Sequence, residues 1–142
     1  MSTGPLPPAV TEMLAQPNPS VMATLRKDGS PVSAATWYLM DGDHVILNMD
    51  DGRARLGHLR RDPRVTLTVL AENWYTHVTL IGRVIEFRAD EGLADIDRLS
   101  RHYTGSPYPQ RDRPRTTAVM EVQRWFGWGE MKDNDQSQSV QS

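Results

Sequence analysis

Residues 21–49 read VMATLRKDGSPVSAATWYLMDGDHVILNM, and the alternation in this stretch decides the fold class. Val21, Ala23 and Leu25 alternate with Met22, Thr24 and Arg26, the period of two that sends successive side chains to opposite faces of a strand. Asp28-Gly29 follows, a pair suited to the tight turn of a hairpin. The pattern predicts a returning strand over Pro31 to Leu39, a turn at Asp41-Gly42-Asp43 and a third strand over His44 to Met49. Short turns between such strands give an antiparallel meander.

Outward from this meander, Ala9 to Gln16 reads as a short helix with Val10, Met13 and Leu14 on one face, stopped by Pro17 and Pro19. On the other side, Asp50-Asp51-Gly52 breaks the sheet, the two aspartates reading as a helix N-cap. Arg53 to Arg61 then reads as a helix with Leu56 and Leu59 inward. Asp62-Pro63 ends it, because the residue before proline avoids the helical region. Val65, Leu67 and Val69 mark a fourth strand, and a loop around Glu72 to Tyr75 leads to a long strand, His77 to Arg88. Gly82 lies within that strand, at an expected bulge or barrel bend. Glu91 to Tyr103 reads as a helix burying Leu93, Ile96, Leu99 and Tyr103. The loop Thr104 to Arg115 precedes a last strand, Thr116 to Gln123. Six or so strands with one crossing helix predict a mainly β chain: an antiparallel barrel, closed or nearly so, with a few short helices. Residues 1–8 form a Pro-rich lead-in, 9–130 the domain, and 131–142 a polar tail expected to be disordered.

The chain has 142 residues, a net charge of −2 and no cysteine. That length suffices for one domain with its own core. Near-neutral charge argues against whole-surface attraction to nucleic acid or to acidic membranes, and lack of cysteine excludes disulfides and thiolate chemistry. The first residues lack the pattern of a signal peptide, and no apolar stretch approaches the roughly 20 residues of a membrane span. The expected location is the cytoplasm.

One segment concentrates charge. Between Asp50 and Arg64 (DDGRARLGHLRRDPR) lie Arg53, Arg55, Arg60, Arg61 and Arg64. Arg53 and Arg55 fall at the start of the expected helix, where the helix dipole disfavours cations. An anion there resolves the conflict, since free N–H groups, the dipole and two guanidinium forks would converge on a phosphate. The alternative is a solvated basic helix end. No other motif carries chemistry. His44, His58, His77 and His102 lack metal-ligand spacing, so no metal is expected. P-loop, Gly-x-Gly-x-x-Gly and Gly-x-Ser-x-Gly motifs are absent.

The series ATLRKDGSP, WYLMDGDHVILNMDDGRAR, HLRRDPRVTLTV and IGRVIEF resembles the pyridoxamine 5'-phosphate oxidase-like, FMN-binding split-barrel superfamily. It is most similar to the actinobacterial branch of F420-dependent oxidoreductases, and the helix Glu91 to Tyr103 with the following YTGSPYP fits that branch too. The resemblance implies a split β-barrel homodimer with a cofactor groove between protomers. It implies that Arg53 and Arg55, with Ala54 between them, grip the cofactor phosphate. Arg55 departs from the more usual lysine, and His58 falls where relatives often carry asparagine. Asn48, Met49 and Asp50 would line the ribityl chain and ring edge, and Ala35, Thr36 and Trp37 the ring. Trp74 and Tyr75 match a loop reaching over from the partner protomer. The expected activity is hydride transfer between coenzyme F420 and a small conjugated substrate. FMN is the alternative cofactor, and a non-catalytic F420 carrier the alternative function. Arg111, Arg113 and Arg115 could attract the acidic tail of F420, and Tyr38, Tyr75 and His77 are the candidate proton donors.

Overall fold

The computed structural model describes residues 1–133. Helix α1 (Pro8–Leu14) opens on a proline, tolerated there because first-turn amides have no helical partner. Four strands follow, β1 (Ser20–Leu25), β2 (Pro31–Thr36), β3 (Leu39–Asp41) and β4 (His44–Asp50). Helix α2 (Ala54–Arg61) leads into β5 (Arg64–Leu70) and β6 (His77–Ala89), and α3 (Ala94–Thr104) into β7 (Arg115–Trp128). The strands pair antiparallel in the order β2-β1-β5-β6-β7-β4-β3.

That order explains why the sheet is a barrel. Strands β2 and β3 are its two edges, yet only Trp37 and Tyr38 separate them in sequence. Laid flat, seven strands would hold their edges about 29 Å apart at the usual strand spacing. The three Cα steps from Thr36 to Leu39 reach at most about 11 Å. The sheet must curl until its edges approach, and the fold is a mainly β split barrel. The single strand expected over Pro31 to Leu39 is therefore two, with Trp37-Tyr38 as the corner between them.

Alternation fills the interior. Val65, Leu67 and Val69 of β5 are buried while their neighbours are partly or fully exposed. They pack with Met22, Leu47, Met49, Leu80 and Met120 into one core. Strand β4 is buried on both faces. Val45, Leu47 and Met49 enter the core, whereas Ile46 and Asn48 face the other side with their β7 partners Val119 and Thr117. The register of β6 on β7 shifts between Ile81 and Gly82 and again between Val84 and Glu86. A Cβ on Gly82 would run into the Glu121 carbonyl oxygen, so the bulge needs glycine at that point.

The helix expected from Glu91 is shorter and begins later. A 3-10 turn, Glu91–Leu93, precedes α3, and Leu93 adopts a left-handed backbone with φ 59°. The Asp90 carboxylate accepts the N–H groups of Asp95 at 2.8 Å and Ile96 at 2.9 Å. It thereby satisfies first-turn donors and fixes the start of the helix. Strand β7 runs beyond the expected Gln123 to Trp128, where it completes the pairing with His77. The N-terminal lead-in docks on it: Ser2 and Trp125 exchange backbone hydrogen bonds of 2.8 and 3.0 Å. Of the expected tail, Met131 packs on the core and Asp133 accepts the Ser2 hydroxyl at 2.6 Å; residues 134–142 lie outside the described residues. No helix among the described residues is long and apolar enough to cross a membrane.

Candidate functional site

A groove of about 600 Å³ opens beside the corner where the sheet edges approach. Its walls come from the end of β2 (Ala35, Thr36), from Trp37, and from the outward face of β4 (Asn48, Asp50). Pro17, Pro19, Ile96 and Leu99 add apolar surface, and Arg53, Arg55 and Arg115 bring three guanidinium groups to the same cavity.

The cationic end is built by the turn after β4. Arg53 has extended backbone (φ −77°, ψ 135°) and precedes α2 without any side-chain cap. The N-cap expected of Asp50 and Asp51 is thus not there. Asp50 instead accepts the Gly52 N–H at 2.8 Å and binds the Arg113 guanidinium, and Asp51 accepts the Thr116 hydroxyl at 2.6 Å. Strand pairing explains the difference, since Met49 and Asp50 sit opposite Thr116 and Arg115 on β7. Asp51 is thus held by β7 and Asp50 by the loop before it, and the first turn of α2 itself has no acidic residue.

Arg53 and Arg55 form no ion pair among the described residues, and Arg55 Nε is buried without a hydrogen-bond partner. Burial, then the charges of Arg53 and Arg115, lowers the pKa of Arg55. A buried polar atom without a partner is costly, and three converging cations add repulsion. A phosphate would supply the missing acceptor and opposite charge, so these residues fit the anionic end of a flavin-type cofactor. Arg113 and Asp50 form an ion pair at the rim, and the Arg113 hydrogen bond holds the Asp50 carboxyl down at about 2.

Another wall of the groove is aromatic. Trp37 stacks on Tyr103 with centroids 5.2 Å apart, and Tyr108 meets its edge at 6.2 Å. The Tyr103 hydroxyl donates to the Asn18 carbonyl at 2.7 Å, and burial pushes its pKa up to about 12. Tyr103 thus presents a flat ring whose hydroxyl is already engaged.

The structure gathers Ala35, Thr36, Trp37, Asn48, Asp50, Arg53 and Arg55 around one groove, and sets other candidates apart. Met49 is fully buried in the core, because the period of two turns it away from Asn48 and Asp50. Tyr38 is also buried and donates to the Leu14 carbonyl at 2.9 Å, so it offers no proton to the groove. Burial raises its pKa. His58 Nδ1 lies 3.1 Å from the Thr24 hydroxyl, beneath β1 rather than in the groove. Ala54 is exposed beside the groove. Trp74 and Tyr75 are 70% and 53% exposed and lie outside this chain's groove, with the His77 ring against the Trp74 carbonyl. Of the three loop arginines, Arg111 is paired with Asp97 at 2.9 Å and Arg113 with Asp50. Arg115 alone of these faces the main cavity.

The sequence does not mark Tyr103 or Tyr108 for the cofactor site, and it marks Arg115 only for the acidic tail of F420. Tyr103 was legible as a buried helix residue, but nothing local places it against Trp37.

A family model described as pyridoxamine 5'-phosphate oxidase matches residues 6–129. Among solved structures, an F420 reductase superposes with a TM-score of 0.74 at 24% identity, covering 80% of this chain and 93% of its own. The conserved hypothetical protein Rv2991 from Mycobacterium tuberculosis gives 0.67 at 20% identity, covering 89% and 86%. General Stress Protein 26 from Bacillus anthracis gives 0.65 at 12%, covering 84% and 90%. Among curated proteins, no match is found.

Proposed function

We infer that this chain, which belongs to the pyridoxamine 5'-phosphate oxidase family, is a homodimeric oxidoreductase that uses coenzyme F420. The observation that carries this is Arg55, whose buried Nε lacks a partner beside Arg53 and Arg115 in a groove that also has apolar and aromatic walls. Similarity to an F420 reductase supports the choice of deazaflavin.

In this assignment Arg53, Arg55 and Arg115 bind the cofactor phosphate through charge-assisted hydrogen bonds. Ala35 and Thr36 are small enough to leave room for a flat ring. Pro17, Pro19, Ile96 and Leu99 exclude water from it. When bound, F420 supplies or accepts a hydride, so the protein has chiefly to orient it against a small conjugated acceptor. Tyr38 and Tyr103 do not move protons, since each holds its own against a backbone carbonyl. The exposed Trp74 and Tyr75 are the surface through which a second protomer completes the site.

FMN use is favoured by one observation. Arg111 and Arg113, the cations best suited to an acidic cofactor tail, are already engaged by Asp97 and Asp50, and FMN has no such tail. Titrating the apo-protein with F420 and with FMN, following cofactor fluorescence, separates the two. Tighter binding of F420 and reduction of a conjugated acceptor by the reduced cofactor are expected. Preference for FMN would move the chain to flavin chemistry on the same fold, and tight F420 binding without turnover would make it a carrier.

A further inference from the structure

Arg115 is held differently from the other two cations of the groove. Its Nε donates to Asn48 Oδ1 at 2.7 Å, and its guanidinium lies 4.9 Å from the Tyr108 ring centroid. Asn48 is 5% exposed, and its amide orientation is fixed from behind. Its Nδ2 donates to Asp90 Oδ2 at 3.0 Å and to Thr117 Oγ1 at 3.1 Å. Thr117 Oγ1 in turn donates to Asp95 Oδ2 at 2.7 Å, which leaves its oxygen free to accept from Asn48. Asp90 is itself anchored by the Asp95 and Ile96 amides at the start of α3. Flipping the Asn48 amide would set NH2 against the Arg115 Nε–H and an oxygen against the Asp90 carboxylate. Both contacts would be repulsive, so only one orientation is stable.

The acceptor facing Arg115 is neutral. A neutral oxygen orients a guanidinium without cancelling its charge, whereas a carboxylate at the same place would do both. The bond also uses Nε, which leaves Nη1 and Nη2 for a ligand. The nearby Asp50 carboxylate interacts with Arg115 electrostatically but is hydrogen-bonded by Arg113 and the Gly52 N–H.

We propose that Asn48 is a positioning residue: it aims Arg115 as the third cation of the anion site, and Asp90 aims Asn48. This rests on the assignment of the groove to a phosphate-bearing cofactor.

The test is a double-mutant cycle on cofactor affinity, with F420 and FMN as the two probes and circular dichroism confirming the fold of each variant. Arg115→Ala should weaken binding by about tenfold or more, the loss expected for one charge-assisted hydrogen bond. Asn48→Ala should weaken it severalfold in the wild-type background and not at all in Arg115→Ala. If Asn48→Ala does not fold, Asn48→Ser, uncharged and too short to reach Arg115, takes its place in the cycle and should show the same dependence on Arg115. Equal losses from the Asn48 variant in both backgrounds, or none in either, would overturn the positioning role. Arg53→Ala/Arg55→Ala distinguishes the two levels. Affinity lost there, with independent Asn48 and Arg115 effects, sinks the positioning role alone. Affinity unchanged there, or neither probe binding the wild type, sinks the groove assignment and the proposal together.

Discussion

Replacing Arg55 by methionine separates what this side chain does for a ligand from what it costs the fold. Methionine keeps the apolar stem of arginine and puts a methyl group where the unpartnered Nε lies, while removing the guanidinium and its charge. An unsatisfied buried polar group costs about 1–3 kcal/mol. Arg55 is only half-buried, so water recovers much of that penalty, and a gain of about 0.5–1 kcal/mol in the cofactor-free protein is expected. For a domain of this size that raises Tm by roughly 2–4 °C. The same change removes one charge-assisted hydrogen bond to phosphate, about 1.5–3 kcal/mol, equivalent to a loss of affinity of about 10- to 150-fold. Differential scanning fluorimetry of the apo-protein and a fluorescence titration with F420 read the two effects. The signature is opposite signs: a more stable apo-protein that binds more weakly. A Tm several degrees lower with unchanged affinity would refute the reasoning, because Arg55 would then be a structural anchor.

Gly82→Ala should be severely destabilising, by about 3 kcal/mol or more, since its Cβ meets the Glu121 backbone in a pairing that cannot move alone; urea unfolding checks this. Tyr38→Phe should lower stability by about 1 kcal/mol through loss of the hydroxyl's bond to the Leu14 carbonyl. Turnover should survive it, and loss of turnover in a folded variant would restore Tyr38 as a proton donor. The Asp50 carboxyl has its pKa lowered from 3.8 to about 2. The stabilisation it gives is therefore complete above the unfolded value and disappears as pH falls through about 2. Arg113→Ala should accordingly differ from wild type at pH 6 and converge with it near pH 2 in denaturant midpoints; a constant difference would argue against the Asp50–Arg113 pair as its cause.

Much of this was legible locally. Alternation along β1 and β5 gives the strands and the inward residues directly, and Arg53 and Arg55 stand out because cations at a helix start conflict with the dipole within one turn of chain. The strict period of two also speaks against the expectation that set Met49 at the cofactor with Asn48 and Asp50, for it cannot share their face. What could not be read depends on distant pairing. Trp37 and Tyr38 are good strand formers, and the break between β2 and β3 is imposed by the sheet closing on itself. Arg115 reads as one arginine among several in a loop until β4 and β7 pair and set it opposite Asp50. The roles of Asp50 and Asp51 changed for the same reason. A carboxylate before a helix reads as a cap unless a strand or loop brought in by distant pairing offers another partner, as Thr116 does for Asp51 and Arg113 for Asp50.

The corner at Trp37-Tyr38 has a kinetic consequence. Because it joins the two ends of the sheet order, the chain there takes its final place only when both ends are formed, and a wall of the groove is completed at that same moment. A ligand that needs this wall finds nothing to bind in partly folded chains. Bound cofactor should then leave the folding limb of a chevron plot where it is and lower the unfolding limb alone, so that the holo-protein outlasts the apo-protein by slower opening.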